Sequence, residues 1–159
     1  MAPGSRTALR RGDGGDDRRF RAAIAAAYAA VLARAGVLDR CQVLGGSFFD
    51  GVPAGADAYL LKRIIHDWDD APATAILSRC REAMPGRGVL LLVERLLPAV
   101  APSAADETVT FLDLDMMVMN GGRERTEAGY RALLEAAGLR HTRTSPPAAG
   151  FAVLEAVPA

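Results

Sequence analysis

Short apolar runs of strand length alternate with helical stretches along this chain of 159 residues, and the alternation predicts an α/β fold with a largely parallel sheet. Two further observations point the same way. The runs Ala58–Ile65 and Gly88–Leu96 are mostly apolar and of strand length, as in strands covered on both faces. The last two candidate strands follow one another with no helix between them, so they are expected to close the sheet as an antiparallel pair.

Taken in order, residues 1–17 hold Gly, Arg and Asp with almost nothing to bury and read as a disordered tail. A helix is expected over 18–36: Ala dominates, Phe20, Ile24, Tyr28, Val31 and Leu32 recur at three- and four-residue spacing, and Gly36 is a stop. Basic residues before this apolar stretch suggest a leader, but Asp13, Asp16 and Asp17 sit where a leader is basic. Cys41–Leu44 is a short strand before the Gly45-Gly46 turn, and Ala58–Ile65 is the next. Asp69 or Asp70 caps a helix with Pro72 in its first turn, running to Met84 and burying Ala73, Ile76, Leu77, Cys80 and Met84. Gly88–Leu96 is a strand, and Asp106–Asn120 a helix carrying Phe111, Leu114 and Val118. A shorter helix over Glu127–Ala137 is stopped by Gly138. Leu139–Thr144 and Phe151–Val157 are the closing strands, joined by a stretch that is long for a tight hairpin.

Composition narrows the function. The chain is 50% hydrophobic and 24% charged, which opposes wholesale disorder. No apolar run approaches the ~20 residues of a membrane helix, since Glu94 and Arg95 interrupt the longest candidate. Two cysteines are too few for a disulfide scaffold or a four-ligand structural zinc site. A soluble, cytoplasmic domain is the expectation. The zero net charge hides a basic stretch over 1–40 and an acidic remainder, and every basic residue but Lys62 is Arg. That bias reads as base composition of the genome, and no aromatic interleaving points to nucleic acid.

The densest polar cluster is Lys62-Arg63-Ile64-Ile65-His66-Asp67-Trp68-Asp69-Asp70, where an apolar strand gives way to a helix. Ligands of open α/β sheets gather at such carboxyl ends of strands. Imidazole, with an unperturbed pKa of ~6.5, suits proton removal near neutral pH. Glu94 falls at the end of the next strand and Glu124 between two helices, so one base with two acidic orienters is a candidate site. Blander readings stand beside it: a polar turn for His66-Asp67, a surface ion pair with Arg95 or Arg87 for Glu94, and helix capping for Glu124. No phosphate-binding lysine loop, HExxH helix or Gly-x-Ser-x-Gly elbow occurs. The cluster of Met116, Met117 and Met119 with Phe111 is ordinary core, or the adaptable wall of an aromatic ligand site.

Four blocks in order carry a family likeness: Gly45-Gly46-Ser47-Phe48-Phe49, Tyr59 to Asp70, Leu92-Val93-Glu94-Arg95, and Gly121-Gly122-Arg123-Glu124-Arg125-Thr126-Glu127. From about Leu32 onward the chain resembles S-adenosylmethionine-dependent O-methyltransferases of the plant caffeate and isoflavone type and their bacterial natural-product relatives. The resemblance implies part of a Rossmann-like class I methyltransferase sheet within residues 18–159. It implies His66 as general base, flanked by Glu94 and Glu124. Ser47, Phe48, Lys62 and Trp68 match cofactor-binding positions for S-adenosylmethionine. Asp67, Met116, Met119 and Asn120 match positions around a small aromatic acceptor, and no metal is required.

Two departures accompany the likeness. Ser47 stands where the family carries Asp, and no Gly-rich strand–turn–helix precedes Leu32. A domain cut through its own sheet is therefore expected, its open strand edge covered by a second copy or a complementing chain. A catalytically silent binding module, or a truncated gene product, is the alternative to an active methyltransferase.

Overall fold

The computed structural model describes residues 5–9, 17–99 and 121–159, in two units, Met1–Pro53 and Ala54–Ala159. In the first unit, β1 (Ser5–Leu9) pairs in parallel with β2 (Cys41–Gly45). A strand at Ser5–Leu9 departs from the disordered tail expected over 1–17. The helix α1 (Asp17–Arg34) matches expectation in extent, and Gly36 (φ +67°) ends it, with Val37 N–H donating to Leu32 O at 3.0 Å. Of its described apolar side chains, Tyr28 and Val31 are exposed. Alanine's intrinsic helix preference accounts for the helix better than burial does.

The second unit is built on a four-stranded sheet in the order β3 (Ala58–Lys62), β4 (Val89–Glu94), β6 (Ala152–Pro158), β5 (Leu139–Thr144). β3 and β4 run parallel, joined by α2 (Asp70–Ala83), whereas β6 is antiparallel to both its neighbours. The chain is thus the expected partial class I methyltransferase sheet, parallel where a helix crosses over and closed by an antiparallel pair. The stretch between β5 and β6 does contain a tight turn. Ala148 and Phe151 exchange backbone hydrogen bonds of 2.8 and 3.0 Å, and Ala149 and Gly150 both take positive φ, 51° and 78°. The expectation of a loop too long for a hairpin turn overlooked that Ala-Gly can form the turn inside it.

All five apolar residues expected on the inner face of α2 are buried: Ala73, Ile76, Leu77, Cys80 and Met84. On α3 (Glu127–Ala136), Tyr130, Leu133 and Leu134 face inward, and Thr126 caps the helix by accepting from Gly129 N–H at 3.1 Å. Leu90, Leu92, Leu154 and Ala156 complete the core from the two central strands. The expected helix over Asp106–Asn120 lies outside the described residues.

β3 is shorter than its apolar run. It stops at Lys62, and Arg63 takes φ +53°, turning the backbone out of the extended conformation before Ile64 and Ile65. That early stop creates the site described below.

Leu92 is fully buried and lies opposite Leu154 across the β4–β6 ladder. Leu92→Ala is therefore expected to lower stability by about 2–5 kcal/mol through lost transfer energy and a residual cavity. A reduced urea midpoint with an unchanged slope checks this.

Candidate active site

His66 is placed by what happens to the backbone after β3 stops. Arg63 N–H makes the last bond toward β4, donating to Val93 O at 3.1 Å. The next two amides have no strand carbonyl to meet. Instead Ile64 N–H and Ile65 N–H both donate to Oε1 of Glu94, at 3.2 and 3.0 Å. Glu94 ends β4 and has no solvent exposure, which rules out a surface ion pair with Arg95 or Arg87. The pinned chain then makes one tight turn, Ile65–Asp67, all of it buried. His66 sits at its centre, 4% exposed.

A second segment, 121–126, closes on the turn from the other side. Arg123 N–H donates to His66 O at 2.8 Å, and Leu97 N–H donates to Arg125 O at 2.9 Å. Gly122 permits the approach: a Cβ there would fall on the His66 carbonyl and lie 2.5 Å from the Asp67 carbonyl carbon. Glu124 consequently places Oε1 2.9 Å from Nδ1 of His66, and both side chains are buried. Helix capping, the blander reading of Glu124, falls to Thr126 instead. Asp67 Oδ1 lies 3.6 Å from the other ring nitrogen, Nε2.

Charge tunes this group in opposing directions. Burial lowers the pKa of His66, but the Glu124 hydrogen bond and the charges of Glu94, Glu124 and Asp67 outweigh it, leaving the imidazole above its usual 6.5. Burial pushes Glu94 up to about 7, against the pull of His66 and of the two amides it accepts from. With Glu124 accepting at Nδ1, the ring in its neutral form presents its lone pair at Nε2. Such an arrangement can act chemically as an oriented base, with the Asp67 carboxylate beside the nitrogen left to accept a proton.

Of the residues singled out in the sequence, His66, Asp67, Glu94 and Glu124 come together. Lys62 ends β3, with its ammonium 5.6 Å from the centroid of the Phe151 ring, and Trp68 follows the base turn directly. Ser47 and Phe48 belong to the first unit and are buried there; Ser47 Oγ accepts from Phe49 N–H at 3.3 Å, and the Phe48 and Phe49 rings meet edge to face. Met116, Met119 and Asn120 lie outside the described residues. Two residues of the site, Arg125 and Tyr130, were not singled out. Both are buried, and the Arg125 guanidinium lies 6.0 Å from the centroid of the Tyr130 ring. An Arg in a polar motif and a Tyr at helical spacing carry no sequence signal that separates them from surface and core.

The family model of the O-methyltransferase domain matches residues 22–140. The phenazine O-methyltransferase PhzM of Lysobacter antibioticus is 44% identical over 127 residues, covering 80% of this chain and 36% of that protein. The O-demethylpuromycin-O-methyltransferase of Streptomyces alboniger is 47% identical over 132 residues, covering 82% and 35%. Among solved structures, the O-methyltransferase NcsB1 from neocarzinostatin biosynthesis, in complex with S-adenosylmethionine and 2-hydroxy-5-methyl naphthoic acid, superposes with a TM-score of 0.75 at 36% identity, over 85% of this chain and 38% of that one. The chain spans about a third of the length of these curated relatives. The likeness is mainly to bacterial natural-product enzymes and does not single out the plant caffeate and isoflavone type. Among the described residues, no helix is long and apolar enough to cross a membrane.

Because Glu94 is raised in the folded state from 4.5 to about 7, the folded protein holds its proton more tightly than the unfolded chain. Its contribution to stability is therefore lost as pH rises through that window. Glu94→Gln keeps an oxygen for the two amides and removes the titration. Relative to wild type the variant is expected to gain stability from pH 4.5 to about 7, then to level off. Urea midpoints of both proteins across this range check the sign.

Proposed function

The chain belongs to the O-methyltransferase domain family, and from that membership we propose that it activates a hydroxyl of a small aromatic or polyketide-type acceptor for methylation, with His66 as general base. The observation that carries the reading is the buried pair of His66 Nδ1 and Glu124 Oε1 at 2.9 Å. S-adenosylmethionine, the methyl donor implied by the family, supplies an electrophilic sulfonium methyl when bound. Such a donor asks of the protein an acceptor oxygen freed of its proton, and the donor set fits: an imidazole held at Nδ1 by Glu124, whose Nε2 in the neutral form can take a proton beside Asp67.

His66 takes the acceptor's hydroxyl proton at Nε2. Glu124 holds the ring and, with Glu94, balances the charge that the imidazole then carries. Asp67, 3.6 Å from Nε2, steadies the same proton and is the described candidate for orienting the acceptor. Ser47, Phe48, Lys62 and Trp68 are the residues we assign to the cofactor, on family grounds. Met116, Met119 and Asn120 are assigned to the acceptor on the same grounds.

The acceptor class follows what the relatives are named for: a phenazine, a puromycin precursor and a naphthoic acid. Phenazine and naphthoic acid are flat ring systems. Among the described strands, β3 pairs with β4 alone, and the proposal gives its outer edge a neighbour from a second copy or a complementing chain.

One observation favours a second reading, a binding module without turnover. Ser47 replaces the family's Asp, and its hydroxyl is engaged by Phe49 N–H. Calorimetry with S-adenosylmethionine separates the readings, because low-micromolar binding supports the enzyme and none supports the silent module.

Methyl transfer from labelled S-adenosylmethionine to a hydroxynaphthoate is expected to fall about 10²–10⁴-fold in His66→Ala, with circular dichroism unchanged. The wild-type rate should rise with pH along a limb lying above 6.5, since the base must first lose its proton. An active His66→Ala variant would show that another group removes the proton.

A further inference from the structure

Arg125 is almost wholly buried, at 5% exposed, yet it touches neither His66 nor Glu124 through any bond of its side chain. Its guanidinium makes five hydrogen bonds. Nη1 donates to the carbonyls of Ile65 and Arg123 at 3.3 and 3.2 Å. Nη2 donates to the Trp68 carbonyl and to Asp70 Oδ1, both at 2.8 Å, and Nε donates to the same carboxylate oxygen at 3.1 Å. Two of these carbonyls flank His66-Asp67, one on each side of the turn. The carboxylate belongs to the first turn of α2, and its pKa is lowered by hydrogen bonds from Arg123 and Arg125. One planar fork therefore ties the entry and exit of the base turn to the segment that carries Glu124.

We infer that Arg125 is a positioning residue for the base: it holds the turn so that the imidazole stays within hydrogen-bond reach of Glu124. Lys cannot reproduce this, because a single ammonium has no rigid fork to span three carbonyls and a carboxylate. The inference rests on reading His66 as the base, but its test needs neither acceptor nor turnover. A failed methylation assay and a failed positioning role are therefore distinguishable.

The test is the titration of His66 followed by NMR of its imidazole carbons. The chain has only one other histidine, His141, so His141→Gln assigns the resonances. The charged groups around His66 are Glu94 from the end of β4, Glu124 and Arg125 from 121–126, and Asp67 of its own turn. Beyond Arg125 lie Asp70 of α2 and Tyr130 of α3. Arg125→Lys keeps the positive charge, so direct electrostatics leaves His66 where it was. Loosening the Glu124 bond instead moves its titration down, because that hydrogen bond is the largest influence raising it. Asp70→Asn gives a second, milder variant at a half-exposed side chain whose charge is not among those acting on His66. It is expected to shift His66 in the same direction by less. An unmoved or raised His66 titration in folded Arg125→Lys overturns the inference. If Arg125→Lys does not fold, an unmoved His66 in Asp70→Asn overturns it and a downward shift sustains it.

Discussion

The carboxylate of Glu94, sealed at the end of β4, is the contact on which the rest of the site depends. β3 and β4 run parallel, and two parallel strands ending level would offer the emerging chain only more ladder. Glu94 offers a carboxyl oxygen instead. By accepting from Ile64 and Ile65 it satisfies the two amides that the departing backbone would otherwise bury unpaired. Hydrogen bonds to a charged acceptor contribute about 1.5–3 kcal/mol each. Burial nonetheless outweighs them and the attraction of His66 in setting the carboxyl's affinity for a proton, which rises rather than falls. A group that both shapes the backbone and resists ionisation is a strained choice for structure alone. Its charge acts on the imidazole next to it, which gives that strain a use.

The second constraint is steric. The segment 121–126 can lie against the base turn only because residue 122 has no side chain, and everything after Gly122 inherits that closeness. Arg123 binds the His66 carbonyl through its backbone, Glu124 reaches the ring, and Arg125 reaches the carbonyls before and after it. Successive residues of one extended stretch thus divide the work between backbone and side chain.

Much of this was legible in the sequence. The apolar runs located β4 and α2, and the inner face of α2 could be named residue by residue, because burial imposes its own period on the chain. That His66 and Glu94 come together was legible, because a histidine after one apolar strand and a carboxylate at the end of the next share one edge of a parallel sheet. What was not legible is where pairing stops. Ile64 and Ile65 look like continued strand, and only the long-range bonds to Glu94 remove them from it. Arg125 was illegible for a related cause: in a chain whose basic residues are nearly all Arg, one more says nothing until its partners are known. In α1 the helix was legible from its alanines, which favour a helix whether or not a face is buried.

The balance of charge in the cluster explains why one histidine suffices. Arg125 could neutralise Glu124, its neighbour in sequence, but its fork is turned toward Asp70 and the carbonyls of the turn. His66 is thereby left as the cation that Glu94, Glu124 and Asp67 act on. In the proposed role, an imidazole raised by three carboxylates holds an acquired proton firmly, which favours taking one from a weakly acidic hydroxyl. The same raising keeps more of the imidazole protonated at a given pH. Burial, the largest single influence on His66 and the one pulling downward, limits that effect. Removing a carboxylate weakens the base, whereas opening the site to water relieves the desolvation that keeps the ring neutral enough to act. The geometry around Glu94 and Gly122 serves both requirements at once: it excludes solvent from the turn while bringing the carboxylates to it.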